Sequence, residues 1–499
     1  MAINTKIYSD NKLSYPNDFR HTAVTLYNYK GDKIDISDSV INIEVYESIY
    51  NNTMSGTLTF GDVDSIHERL PVVGKEFLEF KIRTPVKYNG AYGGEINAQD
   101  HKFYVYKVSI QEQVSPRNQI IRLNFASAEM LRNSRIRISE AFEGTYEDAV
   151  QKIFKSEKLL NSKKPLFVEK TRLNQKVVVP NLRPFDTINM FAKKSLSSVS
   201  NSASFYFYET TQGFHFRSLD SMFRQLSTGV SPALPTWVFN VESSGTPNPE
   251  NIASVDKLEQ LQRVYNHNFV NSMDTIQDSK SGMMSSKLIT YNAYDKTFGT
   301  KEFNYSKDYF TLPHLEQDSE SEFPPSYSII PDTPADYTEE ITNKQGLNNI
   351  YTDYTDGKTM FMSNTSKVHN TNLDSGYHAE KTVQSRIHAL EILDKIRLNL
   401  TVPGNTHINA GQVVNVTVPS YALEAYEKTQ KQYNRFLNGR YLVTDLRHNI
   451  DFTNQKHRTT LTLSKETYGT PLVNSLEKPQ IEVEDELVIV DIGAGKEYA

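Results

Sequence analysis

The stretch IRLNLTVPGNTHINAGQVVNVTVP, residues 396–419, decides the fold of this chain. Apolar residues occupy every second position from 396 to 402, which is the period of a half-buried strand. Residues 403–405, Pro-Gly-Asn, cannot continue a ladder of hydrogen bonds and predict a turn. Valines at every second position from 414 to 418 then predict a second strand with one apolar face.

Two more strands are predicted downstream of this stretch. The third begins after Asn438-Gly439, and the fourth covers residues 457–464. Short strands that are apolar on one face must pack against a partner or close on themselves, so residues 396–466 predict four strands of an antiparallel barrel. The inner faces are predicted to carry Leu442, Thr444, Leu446, His448 and Ile450 in the third strand and Thr459, Leu461 and Leu463 in the fourth.

Length and composition limit the possible functions. The 499 residues exceed what one hydrophobic core supports, and the formal net charge of -6 argues against nucleic-acid recognition. The absence of cysteine excludes disulfides and thiolate sites. No apolar run approaches the roughly 18 residues of a membrane span, and the N-terminal residues lack the apolar core of a signal peptide. We therefore expect a soluble, multidomain protein that is made in the cytoplasm.

The rest of the chain divides into β and α+β regions. Alternating runs predict strands of a first β unit at 41–46, 56–60, 77–83, 103–110 and 119–126. Thr145, which can cap a helix, and Pro184, in the first turn of another, indicate an inserted α+β unit. Strand patterns return at 205–217, and a Gly/Pro-rich linker at 245–249 precedes a second β unit. A further helix is predicted from 379 to 394, with Val383, Ile387 and Leu390 on its apolar face.

Several groups of residues could carry chemistry, and each has a simpler structural interpretation. Asp445, His448 and His457 lie on neighbouring predicted strands, as a metal site requires. A regular strand points Asp445 and His448 to opposite faces, so exposed surface residues are the favoured interpretation. We predict no catalytic, cofactor-binding or metal-binding residue and therefore no enzyme.

Other candidates are weaker. Four acids near one helix start suit the helix dipole better than a glycosidase pair. Three arginines are either interface anchors or a solvated barrel face, with the solvated face favoured. A Gly-Ala-Gly-Lys run lacks the spacing of a phosphate loop. These candidates are Glu140, Glu143, Glu147 and Asp148; Arg397, Arg440 and Arg447; residues 493–496; a miniature Asp374, Ser375 and His378 triad; and the pair His67 and Glu68.

An ordered series of stretches resembles the hub subunit of contractile-tail phage baseplates of the T-even type, which is related to the N-terminal part of VgrG spike proteins. The matching stretches are VYESIYNNTMSGTLTFGD (45–62), SIHERLPVVGKEFLEFKIRTP (65–85), VVVPNLRPFDTINMFAKKSL (177–196), FYFYETTQGFHFRSLDSM (205–222), residues 396–419 and GRYLVTDLRHNI (439–450). None of these motifs is catalytic, and their order carries the resemblance, which covers about residues 20–310 and 380–468.

The resemblance implies a mainly β fold with α+β insertions and two tube-type antiparallel β-barrel domains in each chain. Three chains would then form a ring of six similar barrels, in which the second barrel of one chain pairs with the first barrel of a neighbouring subunit. The expected regions are an N-terminal arm at 1–20, a first barrel at 21–127 and 205–244, an inserted α+β domain at 128–204, a second barrel at 250–305 and 379–468, an irregular acidic insertion at 306–378 and a C-terminal extension at 469–499.

The implied function is that of a homotrimeric adaptor in the tail baseplate of a virion, assembled in the host cytoplasm. Its expected partners are further copies of itself, the central spike protein and the tail tube or tube-initiator protein. The tape measure protein and the baseplate wedge are further candidates, and neither a cofactor, nucleic-acid recognition nor a membrane span is expected. VgrG chains usually continue into a spike, and this sequence has no such repeat before Ala499, so we expect the spike to be a separate chain. The alternatives are the hub of a related injection or secretion system and a tail-associated cell-wall hydrolase.

Overall fold

The computed structural model describes residues 13, 15–62, 74–86, 94–115, 118–172, 174–200, 202–224, 237–241, 261–271, 274–294, 296–308, 312, 314–315, 326–328, 355–365, 377–419, 434, 437–471 and 490–491. These residues form a mainly β structure, which confirms the predicted class. Within them, no helix is long and apolar enough to span a membrane. The predicted linker at 245–249 lies outside the described residues.

The first β unit is built from long antiparallel strands with one apolar face each. In β4, Ile43 and Val45 are wholly buried, while Glu44 between them is half-buried, as the period of two predicts. Residues 77–83 form two short strands that belong to different sheets. The strands are β1 Arg20–His21, β2 Thr25–Tyr27, β3 Lys33–Asp35, β4 Val40–Ser48, β5 Ser55–Asp62, β6 Phe77–Glu79, β7 Lys81–Arg83, β8 Ile96–Asn97, β9 Phe103–Ser115 and β10 Asn118–Ser127.

The α+β unit follows directly and has its own core of phenylalanine and aliphatic side chains. Thr145 caps its second helix by accepting a hydrogen bond from the Asp148 N–H, and Pro184 begins the third helix. The short first helix was not predicted. The elements are α1 Ala128–Arg135, β11 Ala141–Gly144, α2 Tyr146–Lys155, β12 Leu166–Val168, β13 Gln175–Val178, α3 Pro184–Lys194, β14 Phe205–Thr210, β15 Gly213–Ser218 and α4 Leu219–Arg224. Strands β14 and β15, whose residues were expected in the first barrel, form a sheet with β12 of this unit instead.

The second β unit contains the four strands predicted from residues 396–466. Val414, Val416 and Val418 are buried, and so are the apolar residues of the first strand. The elements are β16 Val238–Asn240, β17 Asn266–Asn271, α5 Thr275–Ser281, β18 Ser285–Asn292, β19 Thr297–Asn304, α6 Tyr305–Asp308, β20 Ser326–Ser328, β21 Thr359–Ser363, α7 Ala379–Leu393, β22 Ile396–Pro403, β23 Val413–Thr417, β24 Gly439–Asp451, β25 Lys456–Lys465 and β26 Thr467–Pro471. The last strand, β27 Val490–Asp491, pairs with β12 of the α+β unit.

The second β unit differs from its prediction in several places. Strand β19 was not predicted, and β20 and β21 lie inside the region expected to be irregular. Strand β16 was expected in the first barrel but pairs with β23. In α7 the polar residues Gln384 and His388 are buried, whereas Val383 and Ile387 are only half-buried. Both polar side chains have buried partners, because the Gln384 amide donates to the Ser286 carbonyl at 2.9 Å and the His388 Nδ1 lies 2.8 Å from the Met283 carbonyl oxygen.

One sheet runs through both β units. Its strand order is β17-β22-β25-β24-β4-β5-β10-β9-β6-β2-β3, and β23 joins it by pairing with β24 and β16. The link between the units is the antiparallel pair of β24 and β4, whose register runs from Asp445 opposite Ser48 to Asp451 opposite Asn42. The second β unit thus pairs with the first β unit of its own chain. The expected pairing with the first barrel of a neighbouring subunit stays a prediction.

Candidate functional site

The junction between the two β units brings together buried, hydrogen-bonded polar groups from distant parts of the described chain. Strand β24 is 13 residues long and changes partner along its length, because a register shift between Val443 and Asp445 redirects it. Its first residues pair with β23, and its last seven pair with β4. The junction therefore rests on main-chain hydrogen bonds of a continuous sheet rather than on a flexible linker.

The loop between β22 and β23, residues 404–412, is called the junction loop. It is buried along its whole length, although its sequence predicts a turn. Thr406 and Thr84 exchange two hydrogen bonds: the Thr84 N–H donates to the Thr406 hydroxyl at 3.0 Å and the Thr406 N–H to the Thr84 hydroxyl at 3.1 Å. His407 places Nε2 3.1 Å from the Val86 carbonyl oxygen. A buried loop must pair its polar groups, and these pairs tie the second β unit to the first.

Glycines let this junction loop approach its neighbours. Gly404 faces the ring of His457, and a Cβ at Gly404 would overlap that ring. Gly411 has φ +81°, and a Cβ there would overlap the Tyr208 hydroxyl of the α+β unit. Both positions require glycine because of space, and Gly411 also because of its left-handed backbone. Three units of the chain therefore meet at this loop.

Glu47 lies at the centre of this meeting point. Its carboxylate accepts the Thr211 N–H from the β14–β15 turn at 3.0 Å and the Ala410 N–H from the junction loop at 3.0 Å. Only 2% of the residue is exposed. Burial raises the pKa of Glu47 to about 8, the two backbone donors act against that rise, and Glu209 adds to it.

A buried ion cluster joins the α+β unit to the first β unit. The Lys164 ammonium pairs with Glu129 at 3.1 Å and, more closely, with Glu209, whose other oxygen accepts the Met54 N–H at 2.8 Å. Burial acts to raise the pKa of both carboxyls. For Glu129, Lys164 and the Ser162 hydroxyl outweigh burial and lower the pKa, whereas the pKa of Glu209 stays raised. The cluster fixes how the two units sit against each other.

His448 and His457 are wholly buried, which makes their interpretation as surface residues wrong. The His448 Nδ1 lies 3.1 Å from the His457 Nε2, with the Thr459 hydroxyl 3.3 Å from the same His448 nitrogen. Burial lowers the pKa of His448 to about 3 and that of His457 well below its ordinary value. Asp445 is not part of this pair, because it accepts a hydrogen bond from the Ser48 hydroxyl at 2.6 Å.

The described end of the N-terminal arm also reaches the second β unit. The Tyr15 hydroxyl donates to the Gln455 carbonyl at 2.5 Å, and the His457 N–H donates to the Asn17 carbonyl at 2.9 Å. Asp18 and Arg20 form a fully buried ion pair at 2.7 Å. Residues 15–21 therefore belong to the packed structure of the junction.

The remaining candidates have separate structural partners. Glu140 pairs with Lys152 and Glu143 with Lys176 at 3.5 Å, so these two carboxylates are each held by a cation of their own. Glu147 accepts the Thr171 N–H at 3.0 Å, and Asp148 accepts the Thr145 hydroxyl at 2.7 Å. In the described part of the chain, no group of three metal-ligating side chains comes together.

The three arginines contact their own chain. Arg397 pairs with Asp394, Arg447 pairs with Glu44 across the β24–β4 pair, and the Arg440 guanidinium donates to the Phe223 carbonyl at 2.9 Å. His378 is buried with its Nδ1 3.0 Å from a carboxylate oxygen of Glu380. The other members of the candidate groups, Asp374, Ser375, His67, Glu68 and residues 493–496, lie outside the described residues.

Sequence reasoning missed the polar residues of the junction. Glu47, Lys164 and Glu209 are scattered over more than 160 positions, and nothing near them in sequence marks them as buried. A weak signal was present at Glu47, a charged residue at an inward-pointing position of the strand, in step with the buried Ile43 and Val45. Only the tertiary fold brings these side chains together.

Comparison with known proteins gives one curated relative. The chain is 21% identical over 434 residues to the probable baseplate hub protein gp334 of Vibrio phage KVP40, which covers 83% of this chain and 88% of that relative. This similarity confirms the predicted resemblance to phage baseplate hub subunits. No protein-family model matches the chain.

Three solved structures align with most of this chain at low sequence identity. A tail protein from Neisseria meningitidis MC58 aligns with 91% of this chain and 98% of its own length, with 9% identity and a TM-score of 0.46. The 43 kDa tail protein of prophage MuSo2 from Shewanella oneidensis aligns with 89% of this chain and 98% of its own length, with 10% identity and a TM-score of 0.45. An E. coli component of the type VI secretion system aligns with 87% of this chain and 75% of its own length, with 8% identity and a TM-score of 0.36.

Proposed function

We propose that this chain is a structural subunit of the hub at the centre of a phage tail baseplate. The observation that supports this most is the similarity to a probable baseplate hub protein over more than four fifths of both chains. The subunit works as part of the virion's tail baseplate and carries no catalysis. Its task is to hold other proteins in fixed positions.

The finer proposal is that three copies form a ring between a trimeric spike and a hexameric tail tube. Each chain supplies two β units, so a threefold ring presents six of them, and such a ring resolves the mismatch between the two symmetries. The continuous sheet through β24 and β4 supports this proposal, because an adaptor under load needs its two β units held rigidly together. Spike, tube or tube-initiator, tape measure and wedge proteins are its proposed partners.

Co-expression of the chain with the spike and tube-initiator proteins of the same virus tests this assignment. We expect a stable complex with both partners that survives gel filtration. A chain that elutes alone, with each candidate partner separate, would contradict the adaptor role. The hub of a secretion or injection system is the competing structural role, and the genes that neighbour this one distinguish it.

The cell-wall hydrolase remains the competing enzymatic function. A peptidoglycan zymogram of the full chain is expected to show no clearing, with lysozyme as the positive control. Clearing by the purified chain that a catalytic inhibitor abolishes would replace the structural proposal.

A further inference from the structure

Among the described residues, nothing covers one face of the small sheet formed by β18, β19 and β21. Tyr291 lies opposite Phe298, and Ile289 lies opposite Phe361, so these side chains share that face. Tyr291 is 47% exposed, Phe298 73% and Phe361 69%. Single exposed apolar residues are ordinary, but three large ones side by side on one sheet are not. We call the surface formed by Tyr291, Phe298 and Phe361 the aromatic face.

The opposite face of the same sheet is already occupied. Ser286, Leu288 and Thr290 are buried there, and α7 packs over them through the Gln384 hydrogen bond to the Ser286 carbonyl. The helix fixes the sheet to the second β unit. The aromatic face therefore points away from the core of its own unit.

The size of the aromatic face limits what can cover it. Aromatic side chains present about 150–250 Å² each, so the exposed fractions amount to roughly 400 Å² of apolar surface. Two copies packed face to face would bury about 800 Å², which is below the roughly 1,200 Å² of a stable interface. A second copy of this chain is therefore a poor occupant unless other contacts contribute.

The edge of the sheet supplies those other contacts. Among the described residues, β19 pairs with β18 only, and residues 297–302 of β19 are exposed. An eight-residue edge strand offers main-chain donors and acceptors to an added strand. Antiparallel pairing of β19 with β19 of a second copy would create a twofold axis, which a threefold ring does not contain.

The polar end of the sheet sets the orientation of the added strand. Lys287 lies 3.9 Å from a Glu302 oxygen and 3.5 Å from an Asp356 oxygen, so this end carries one cation between two carboxylates. Tyr291 and Phe298 occupy the other end. A fitting strand has apolar side chains at alternate positions over the aromatic end and a polar residue beside Glu302.

We infer that the β19 edge and its aromatic face bind an extended strand from a different protein of the assembled tail. This inference rests on the proposed function, because it places the partner within the tail. Main-chain pairing along β19 provides the affinity, and the aromatic face selects apolar side chains at every second position.

Labelling of assembled tails tests the inference. Hydrogen exchange and hydroxyl-radical footprinting are compared between the isolated chain and purified tails. We expect the amides of β19 to exchange at least tenfold more slowly in tails, and the labelling of Phe298 and Phe361 to fall at least fivefold. Unchanged exchange along β19 in tails that contain the chain would overturn the inference and leave the proposed function intact.

A single cysteine identifies the occupant, because the chain has none of its own. Thr300→Cys lies on β19 opposite Ile289 and carries a thiol-linked benzophenone in assembled tails. A cross-link to an extended segment of another tail protein is expected. A cross-link to a second copy or to the same chain overturns the inference, and absence of the chain from purified tails overturns the proposed function together with it.

A matched pair of variants separates binding from general surface effects. The double substitution Phe298→Ser and Phe361→Ser removes the aromatic face and is expected to abolish the cross-link and the protection of β19. Val178→Ser removes an equally exposed apolar side chain, 69% exposed, from the α+β unit and is expected to retain both. Loss of the cross-link in the Val178 variant as well would argue against a site on β19.

Discussion

Glu47 makes the junction sensitive to pH in one direction. Its pKa is raised from an ordinary value of 4.5 to about 8, so the folded chain holds a proton that the unfolded chain releases between these values. Its contribution to stability is complete below pH 4.5 and is lost as pH rises through 8, with a slope of up to about 1.4 kcal/mol per pH unit. We expect the free energy of unfolding of Glu47→Gln, measured in urea between pH 5 and 8, to depend on pH with a slope more positive than that of wild type by up to about 1.4 kcal/mol per pH unit. Parallel pH profiles would contradict the raised pKa.

Lys164 is the cation that two buried carboxyls share. Lys164→Met leaves Glu129 and Glu209 without it, and we expect a loss of about 3–5 kcal/mol in the free energy of unfolding. The matched control is Lys152→Met, which breaks an exposed pair with Glu140 and is expected to cost less than about 1 kcal/mol. Equal costs for the two variants in denaturant unfolding would show that the buried cluster is not structural.

The buried histidines give the opposite pH dependence. Because the pKa of His448 is lowered from 6.5 to about 3 and that of His457 is lowered too, the unfolded chain binds more protons in this range. Stability from these residues is present above pH 6.5 and falls as pH drops toward 3, by up to about 1.4 kcal/mol per pH unit for each histidine.

Replacing both histidines measures their contribution to the pH dependence of stability. The double variant His448→Leu and His457→Leu is expected to lose most of that acid sensitivity between pH 6.5 and 4.5, measured as the shift of the thermal midpoint. Asn268→Leu, at an exposed position on β17, removes no titratable group, so it serves as the control and should keep the wild-type profile. An unchanged acid slope in the double variant would mean that the pair is already charged in the folded chain.

At the scale of the element, β23 tests the assignment of strand faces. Val416 is 1% exposed in the core of the second β unit, and Val416→Asp buries an unpaired carboxylate there at a cost of several kcal/mol. We expect insoluble or unfolded protein by circular dichroism. Thr417→Asp, on the half-buried face, is expected to fold, and a soluble Val416→Asp chain would show that the faces are wrongly assigned.

The strands of residues 396–466 were predictable because alternation alone specifies which face is buried. The junction loop was not, since Pro-Gly-Asn signals a turn whether the turn ends in solvent or, as at Thr406, against Thr84. His448 and His457 were misassigned because polar side chains on an inner face look like surface residues until a partner is seen. Strand β19 escaped notice because its alternating residues are nearly all exposed and carry no apolar period.

At the scale of the whole molecule, the continuous sheet changes how the two β units relate. Separate barrels on a linker would move independently, whereas β24 pairs with β25 and β4 at once and makes both units share one backbone ladder. Main-chain pairing of this kind transmits force without relying on side-chain contacts. The same rigidity suits the proposed adaptor role, in which the two β units would be held in register.

Light scattering on the purified chain, alone and with the spike protein of the same virus, tests the central claim most directly. A homotrimeric hub adaptor is predicted to give a mass of three chains, or of three chains plus three spike subunits when the spike is present. A mass of one chain at all concentrations, unchanged by the spike protein, would contradict the account.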